Sequence, residues 1–411
     1  MSWRLAGERP TLSSRQPPTA NRQPIIIGPV FPYRAGIAYC TTRLAQELGA
    51  SVISFRRQFP KFLYPGGDDV DPTLPRFEGA RFLLDIVNPL TWLRTAWTLR
   101  RARPDAVIFV WWVWVWALPY LTLIAFLPRR TRVILQCHNI GDKEPAAWKR
   151  WLTNRVLHRG DVLVVHAETE AEDAARRLHV IPSVARDLGG RGAMHVPAAP
   201  PAQVPRSARD DTPRIVKTFL PVHELGGAIP SRVDARRALG LRGNVALFFG
   251  HVRPFKGLDI ALRAWRLLEC EVTLVVAGEV WWKGEAEVRE LAKGLDNVRF
   301  DFRFIPDAEI ATYFAAADVV LAPYRIEAQS GVALTAFHFA RPVIASDAGG
   351  LPEIVEEEML FPSEDHVALA ARVDAFFART DREELERRAA EAAARYSWAE
   401  YATVFRRLID S

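Results

Sequence analysis

The sequence predicts an α/β protein with two domains, each built on a parallel β-sheet. Its 411 residues exceed what one hydrophobic core usually serves. Short β-branched runs that end in loops containing Gly or Pro alternate with helical patterns along both halves of the chain. Between the halves, residues 191–232 are rich in Pro and Arg and show little periodicity, which is typical of a connection between domains.

The composition is that of an ordinary globular protein, with 49% hydrophobic and 25% charged residues. The formal net charge of +6 comes from arginines spread along the chain, and it favours anionic partners such as nucleotide phosphates or a lipid headgroup surface. No basic run with interleaved aromatic residues and no RNA-binding motif is present, so nucleic acid is not an expected partner. The three cysteines, Cys40, Cys137 and Cys270, are far apart, so neither a disulfide framework nor a zinc site is expected, and a reducing cytoplasm fits.

The first domain is predicted to occupy residues 23–220. Residues 1–22 have no apolar signal-peptide core and are predicted to be a disordered leader. The first strand is the run Ile25-Ile26-Ile27, followed by a loop and a helix over 37–48, as in a Rossmann-like domain. A second strand is predicted at 51–55.

Residues 58–78 are predicted to form a long irregular loop that shapes a cleft. The loop contains Asp69-Val70-Asp71, whose carboxylates have a spacing that can hold a divalent metal ion. Such a pair should end a buried strand, whereas this one lies among Gly66, Gly67 and Pro72. A solvated loop is therefore the favoured interpretation, and no metal ion is expected.

Residues 107–127 contain no charged side chain, and the length would admit a membrane-spanning helix. Four tryptophans lie in this stretch: Trp111, Trp112, Trp114 and Trp116. The β-branched residues and Pro119 instead favour a buried strand followed by an apolar helix. A peripheral membrane contact through exposed tryptophans and the nearby arginines at 129, 130 and 132 is a further possibility.

A strand predicted at 133–135 ends in Gln136-Cys137-His138-Asn139. Ligands bind at the carboxyl ends of strands in open α/β sheets, so His138 is a candidate for ligand contact. A structural role for this histidine is the alternative.

The second domain is predicted at residues 233–398, after a linker at 221–232. Its first strand, 245–249, leads into a loop that starts at Gly250 and carries Arg253 and Lys256. This spacing lets a guanidinium fork and an ammonium group converge on a diphosphate. The next strand, 272–277, ends at Gly278.

Residues 321–355 are the most informative stretch. The pattern predicts a strand, a loop, a helix, a second strand and a Gly-rich loop, which is the repeating unit of a parallel sheet. The helix is predicted to begin near Ser330, which can cap it, and Gly331 would let a ligand approach the backbone closely. Its free N–H groups and positive dipole end would then favour an anion.

This stretch resembles the nucleotide-sugar site of family 4 glycosyltransferases, which are retaining enzymes with the GT-B fold of two Rossmann-like domains. The family pattern is matched at Pro323, Glu327, Pro342, Val343 and Gly349-Gly350-Leu351-Pro352-Glu353. The second Glu of the pattern is replaced by Thr335. The Gln329-Ser330-Gly331-Val332 loop resembles a bacterial and archaeal subgroup that acts in surface-glycan assembly, and the resemblance covers roughly residues 25–401.

The resemblance implies a site made from several strand ends. Arg253 and Lys256 would stabilise the leaving diphosphate, while Glu327 and His138 would contact the donor sugar. The other donor-binding residues implied are Gly36, Gly250, Gly278, Gln329, Ser330, Gly331, Val332 and Thr335. The resemblance also implies that the last helix, 399–411, crosses back to the first domain.

The implied activity is transfer of a sugar from a nucleotide diphosphate sugar to a glycan or lipid-linked acceptor, without a metal or other cofactor. The implied location is the cytoplasm or the inner face of the cell membrane. Two alternatives stay open. One is a sugar-nucleotide epimerase with the same GT-B fold, and the other is a catalytically silent binding subunit, because Thr335 removes a carboxylate of the family pattern.

Overall fold

The structure is a computed structural model. It describes residues 23–34, 36–59, 69–141, 146–178, 212–224, 228–281, 284–326 and 329–411. The predicted leader at 1–22 lies outside these residues. The described chain forms two parallel-sheet domains, which confirms the predicted fold class.

The first domain contains a seven-stranded parallel sheet. Its strands are β1 (Ile25–Ile27), β2 (Ser51–Arg57), β3 (Ala80–Asp85), β4 (Ala106–Trp111), β5 (Arg132–Cys137), β6 (Val162–Val165) and β7 (Arg214–Lys217). They lie in the order β3-β2-β1-β4-β5-β6-β7, with Ile26 paired to Val52 on one side and to Ile108 on the other. Every residue of β4 is buried, as expected for a central strand with both faces covered.

Helices cover both faces of this sheet. They are α1 (Gly36–Leu48), α2 (Pro89–Ala102), α3 (Ala117–Phe126), α4 (Ala147–Leu157) and α5 (Glu168–Leu178). Helices α2 to α5 contribute to one hydrophobic cluster, which includes Phe109 of β4, whereas α1 packs mainly into a second cluster with Ile108. Neighbouring residues of β4 therefore point to opposite faces.

The second domain contains a six-stranded parallel sheet. Its strands are β8 (Asn244–Phe249), β9 (Val272–Ala277), β10 (Val298–Asp301), β11 (Val319–Ala322), β12 (Val343–Ser346) and β13 (Leu360–Phe361). The order β10-β9-β8-β11-β12-β13 repeats the strand order of the first six strands of the other domain. The strands share one continuous hydrophobic core with their helices.

Seven helices of the described chain surround the second sheet: α6 (Arg232–Leu239), α7 (Leu258–Trp265), α8 (Glu285–Leu291), α9 (Asp307–Ala316), α10 (Gly331–His338), α11 (His366–Ala378) and α12 (Arg382–Arg395). They pack in neighbouring pairs, with α6 against α9, α7 against α11, and α10 against α12. Within the described ranges of both domains, no helix combines the length and the apolar character needed to cross a membrane.

The last helix, α13 (Trp398–Asp410), packs on the first domain beside α1. Tyr401 is fully buried there, and its hydroxyl lies 2.9 Å from Gln136 Nε2 and 2.8 Å from His166 Nε2. At the other end of the helix, Arg132 Nη1 donates to the Leu408 carbonyl oxygen at 2.7 Å. The C-terminus of the chain is therefore fastened to β5 of the first domain.

We expect Tyr401→Phe to lower the free energy of unfolding by about 2 kcal/mol, because Gln136 and His166 would keep buried polar atoms without a partner. The matched control is Tyr324→Phe. The Tyr324 hydroxyl is also buried, but it has no hydrogen-bond partner among the described residues, so its removal should leave stability unchanged or raise it. Urea unfolding of both variants measures the difference, and equal losses would contradict the assigned role of the Tyr401 hydroxyl.

Candidate functional site

A cavity of about 1090 Å³ lies between the two domains and is lined by residues of both. Loops that follow β1 and β4 form one wall, and loops that follow β8, β9 and β11 form the other. In each sheet the strand order reverses direction beside the first strand, at β1 or at β8. Such reversal points at the carboxyl edge are the usual binding sites of open α/β sheets.

The loop after β8 brings two predicted cations to the cavity. Arg253 lies with its guanidinium 4.3 Å from the ring centroid of Trp281, and Lys256 lies with Nζ 3.8 Å from the ring centroid of Tyr324. Both side chains are therefore supported by aromatic faces. The loop then turns at Gly257, where φ is +69° and a Cβ atom would lie 1.9 Å from the Pro323 carbonyl oxygen.

Two glycines let the ends of β8 and β9 touch backbone to backbone. Gly250 has φ +94° and Gly278 has φ +146°, and both line the cavity. A Cβ atom on Gly278 would lie 2.1 Å from the Gly250 carbonyl oxygen, so only glycine fits this approach. The packing of the two strand ends therefore requires glycine at position 278, and the positive φ favours glycine at position 250.

Helix α10 points its N-terminus at the same part of the cavity. Ser330 is buried, and its Oγ accepts a hydrogen bond from Ala333 N at 3.2 Å, so the predicted cap is confirmed. Gly331 and Val332 line the cavity, and a Cβ atom on Gly331 would meet no atom within 4 Å. Open space thus faces the first turn of α10, where backbone N–H groups and the helix dipole favour an anion.

Gln329 and Thr335 have partners within the protein. Gln329 is buried, and its Oε1 accepts a hydrogen bond from Leu220 N in the segment that follows β7. Thr335 lines the cavity, but its Oγ1 donates to the Gly331 carbonyl oxygen of its own helix at 2.7 Å. Thr335 therefore adds little polar surface to the site. Glu327, the predicted sugar-binding carboxylate, lies outside the described residues.

The first domain contributes Gly36 and Arg34 to the opposite wall. Gly36 begins α1 and lines the cavity. A Cβ atom added at this position would meet no other atom within 4 Å. The guanidinium of Arg34 lies 4.2 Å from the ring centroid of Phe304, which belongs to the second domain. This cation–π contact crosses the cleft beside the cavity.

His138 is not among the residues that line the cavity. Its ring lies 5.2 Å from that of His166, and its Nε2 is buried with no hydrogen-bond partner among the described residues. Burial lowers the pKa of His138 to about 4, and burial followed by the neighbouring His138 lowers the pKa of His166 as well. Both imidazoles are thus neutral near pH 7 and sit behind the cleft wall.

The four tryptophans at the end of β4 and just after it are not the exposed group that a membrane contact would need. Trp111 and Trp116 are buried in the core of the first domain. Trp112 and Trp114 are partly buried and line the cavity. The predicted strand and helix in this stretch are confirmed as β4 and α3, but the four indole rings face the interior and the cleft.

Asp71 also differs from the predicted solvated loop. It is 2% exposed, lines the cavity, and accepts hydrogen bonds from Thr73 N and Thr73 Oγ1 at 2.9 Å and 2.6 Å. Its second carboxylate oxygen is buried and has no hydrogen-bond partner among the described residues. Within those residues, no group of three or more His, Cys, Asp or Glu side chains is arranged to hold a metal ion.

Two residues that sequence reasoning missed show that the cavity is electrically polarised. Burial, followed by the charges of Arg253, Lys256 and Arg34, lowers the pKa of His251 to about 4. Burial, followed by the charge of Asp71, raises the pKa of Asp307 in the first turn of α9. One part of the cavity is therefore cationic and another is anionic. Only the strand-end position of His251 was visible in the sequence.

Comparison with known proteins places this site in a family context. Residues 243–379 match the family model described as glycosyl transferases group 1. The match extends from β8 to the end of α11, so it contains the cationic loop and helix α10. The second domain is thus a glycosyl transferases group 1 domain.

Relatives with similar sequences share only part of the chain. The D-inositol 3-phosphate glycosyltransferase of Saccharomonospora viridis is 33% identical over 211 residues, which cover 46% of this chain and 48% of that protein. The enzyme of the same name from Mycobacterium leprae is 39% identical over 133 residues, 31% of each chain. The chain thus spans about half the length, or less, of these curated relatives.

Solved structures extend the similarity to both domains. Sucrose-phosphate synthase from Thermosynechococcus elongatus superposes with a TM-score of 0.69 at 20% identity, over 94% of this chain and 98% of that one. Anabaena HepE in complex with UDP-glucose gives a TM-score of 0.68 at 16% identity, over 94% and 99%. At these identities the comparison establishes the fold, which is the GT-B arrangement of two Rossmann-like domains.

We predict that His138, whose Nε2 atom is buried, makes folding sensitive to acid. In the unfolded chain its imidazole takes up a proton as the pH falls below about 6.5, whereas the folded form stays neutral until about pH 4. Stability is therefore lost as the pH falls through this window. His138→Asn should reduce the loss of unfolding free energy between about pH 7 and pH 5 by on the order of 2 kcal/mol. Urea unfolding at both pH values tests this, and the same pH dependence in wild type and variant would contradict it.

Proposed function

We propose that this protein is a retaining glycosyltransferase of family 4 that moves a sugar from a nucleotide diphosphate sugar to a glycan or lipid-linked acceptor. The observation that carries the proposal is the convergence of Arg253, Lys256 and the N-terminus of α10 on one cavity. This cavity lies in a GT-B fold, and its cationic loop belongs to a glycosyl transferases group 1 domain. Anabaena HepE, which has the same fold, binds UDP-glucose.

The donor diphosphate would lie between the cationic loop and the first turn of α10. Arg253 can offer a guanidinium fork and Lys256 a point charge. Gly331 leaves open space at the helix N-terminus, so phosphate oxygens can reach the backbone N–H groups. Gly36 offers similar open space on the opposite wall, at the start of α1.

The donor sugar and ribose would be held by the loop before α10 and by its surroundings. Glu327 would accept hydrogen bonds from sugar hydroxyls, as the family pattern implies. The pattern assigns a second carboxylate to position 335, where the Thr335 hydroxyl is engaged by Gly331. Ribose contacts would then come from other cavity residues, and Glu279 after β9 is a carboxylate in the lining.

In the reaction, the bond between the anomeric carbon and the diphosphate oxygen breaks while a bond to the acceptor oxygen forms on the same face of the sugar. The acceptor proton passes to the departing phosphate oxygen. The protein's part is to stabilise the negative charge that develops on the diphosphate, which Arg253, Lys256 and the α10 N–H groups are preorganised to do. No metal or other cofactor is part of this proposal.

The acceptor would enter along the first domain. Trp112 and Trp114 offer aromatic surface in the cavity, and Asp71 offers a buried carboxylate oxygen without a partner among the described residues. Aromatic rings and carboxylates are suited to the apolar faces and hydroxyl groups of a sugar. We place this activity in the synthesis of a cell-surface polysaccharide or glycolipid, on the cytoplasmic side of the membrane. His138 does not line the cavity, so its role would be to support the residues on the acceptor side of the cleft.

We expect Arg253→Ala to lower donor turnover by about 10²- to 10³-fold, because it removes one preorganised partner of the leaving diphosphate. The assay is nucleotide release from a panel of UDP-, GDP-, ADP- and dTDP-sugars. Arg242→Ala is the matched control, because Arg242 is exposed and outside the cavity lining. Unchanged turnover in Arg253→Ala, or equal losses in both variants, would overturn the assignment.

The same panel separates the alternative activities. Loss of turnover in Glu327→Ala would support the assigned sugar contact. A donor converted to its epimer without nucleotide release would support the epimerase instead. Absence of calorimetric binding for every nucleotide, with an intact fold, would support the silent subunit.

A further inference from the structure

The first domain exposes an apolar surface on three consecutive helices, here called the α2–α4 face. In the described chain, all eight exposed large apolar side chains of the first domain lie on these helices or in the turn before α2. They include Leu90, Leu93 and Trp97 of α2, Leu118 of α3, and Trp148 and Trp151 of α4. The three tryptophans are 51%, 52% and 57% exposed, so this face differs from isolated surface residues.

The exposed residues form stripes that run along the helices. In α2, Leu90, Leu93 and Trp97 follow i, i+3, i+7 spacing, while Ala96 and Leu99 of the same helix are buried against the sheet. The helix is therefore apolar on two sides, one for the core and one for solvent. In α4, Trp148 and Trp151 are spaced by three residues in the same way. Because α2 packs on α3 and α3 packs on α4, the stripes belong to one surface.

The charge of the α2–α4 face is uniformly positive. None of the three helices contains Asp or Glu, whereas α2 contains three arginines and α4 contains two arginines and a lysine. Basic and aromatic groups alternate in contact: the guanidinium of Arg101 lies 5.2 Å from the Trp97 ring centroid, and that of Arg155 lies 4.9 Å from the Trp151 ring centroid. Trp97 and Trp151 thus each have a cation beside them at the surface.

We propose that the α2–α4 face docks this protein on an anionic lipid bilayer. Indole rings favour the boundary between headgroups and acyl chains, and arginines favour anionic headgroups. The combination of exposed apolar stripes with basic helices that contain no Asp or Glu fits a helix surface that lies in the membrane interface.

The docking face borders the cleft. Trp114, which lines the cavity, packs edge to face on Trp148 of α4 with ring centroids 4.5 Å apart. Lys149 and Thr153, also on α4, line the cavity as well. A bilayer bound to this face would therefore lie beside the cleft mouth on the acceptor side. This consequence rests on the proposed function, and it favours an acceptor that is carried by a lipid.

Vesicle co-sedimentation of the full chain tests the docking face directly. The probes are vesicles of phosphatidylcholine alone and vesicles that also contain phosphatidylglycerol. We expect binding only to the second kind, and its loss at about 1 M salt, where charges are screened beyond about 3 Å. Trp97→Ser combined with Trp151→Ser should lower the bound fraction on the order of tenfold.

The matched control is Leu267→Ser combined with Val367→Ser, which removes two exposed apolar side chains of the second domain and should leave vesicle binding unchanged. Nucleotide binding measured in solution reports on the cleft separately, because Trp97 and Trp151 are outside its lining. Equal binding to neutral and anionic vesicles, or undiminished binding by the tryptophan variant, would overturn the proposal. So would a dimer in solution that the tryptophan variant loses, because the face would then pair two copies of the chain.

Discussion

The carboxyl edges of two parallel sheets face each other in this molecule, and every feature of the cavity depends on that placement. Helix α13 fixes this placement on the first-domain side, where the buried Tyr401 hydroxyl lies within hydrogen-bond distance of Gln136 and His166. Glu353 of the second domain fixes the placement from the other side. Its carboxylate accepts a hydrogen bond from Glu168 N at 2.7 Å and contacts Lys217 Nζ at 2.9 Å, and both partners belong to the first domain. With the edges opposed, loops that are far apart in the sequence meet around one space.

The electrostatics of that space fit a ligand with two different ends. Arg253, Lys256 and the N-terminus of α10 make one region suited to a diphosphate, while Asp71 and Asp307 make another region suited to hydroxyl groups. In a cleft with protein walls of low dielectric constant, fixed charges act more strongly than in bulk water. A nucleotide sugar and a sugar acceptor together carry a diphosphate at one end and hydroxyl groups at the other. On the outer surface, the proposed docking of the α2–α4 face on a membrane would bring the acceptor side of the cleft close to the bilayer.

Local signals predicted the parts of the fold that local chemistry determines. The strand ends, the Ser330 cap and the cationic loop were visible because each depends on neighbours in the sequence. Helices α2 and α4 were not predicted, because residues such as Trp97 and Trp151 make them apolar on the solvent side and obscure a single buried stripe. The burial of Asp71 and the pairing of Arg34 with Phe304 depend on contacts between distant segments, so no local pattern could have predicted them.

The proposed function requires that the cleft bind a nucleotide through the loop after β8 and the first turn of α10. Amide hydrogen exchange of the full chain, alone and with UDP, GDP, ADP or dTDP in turn, tests it most directly. For one of these nucleotides we expect protection in residues 250–257 and 331–335, with exchange in α2 and α4 unchanged. If none of them protects these two segments, or if protection is confined to other parts of the chain, the cleft is not a nucleotide site of this kind.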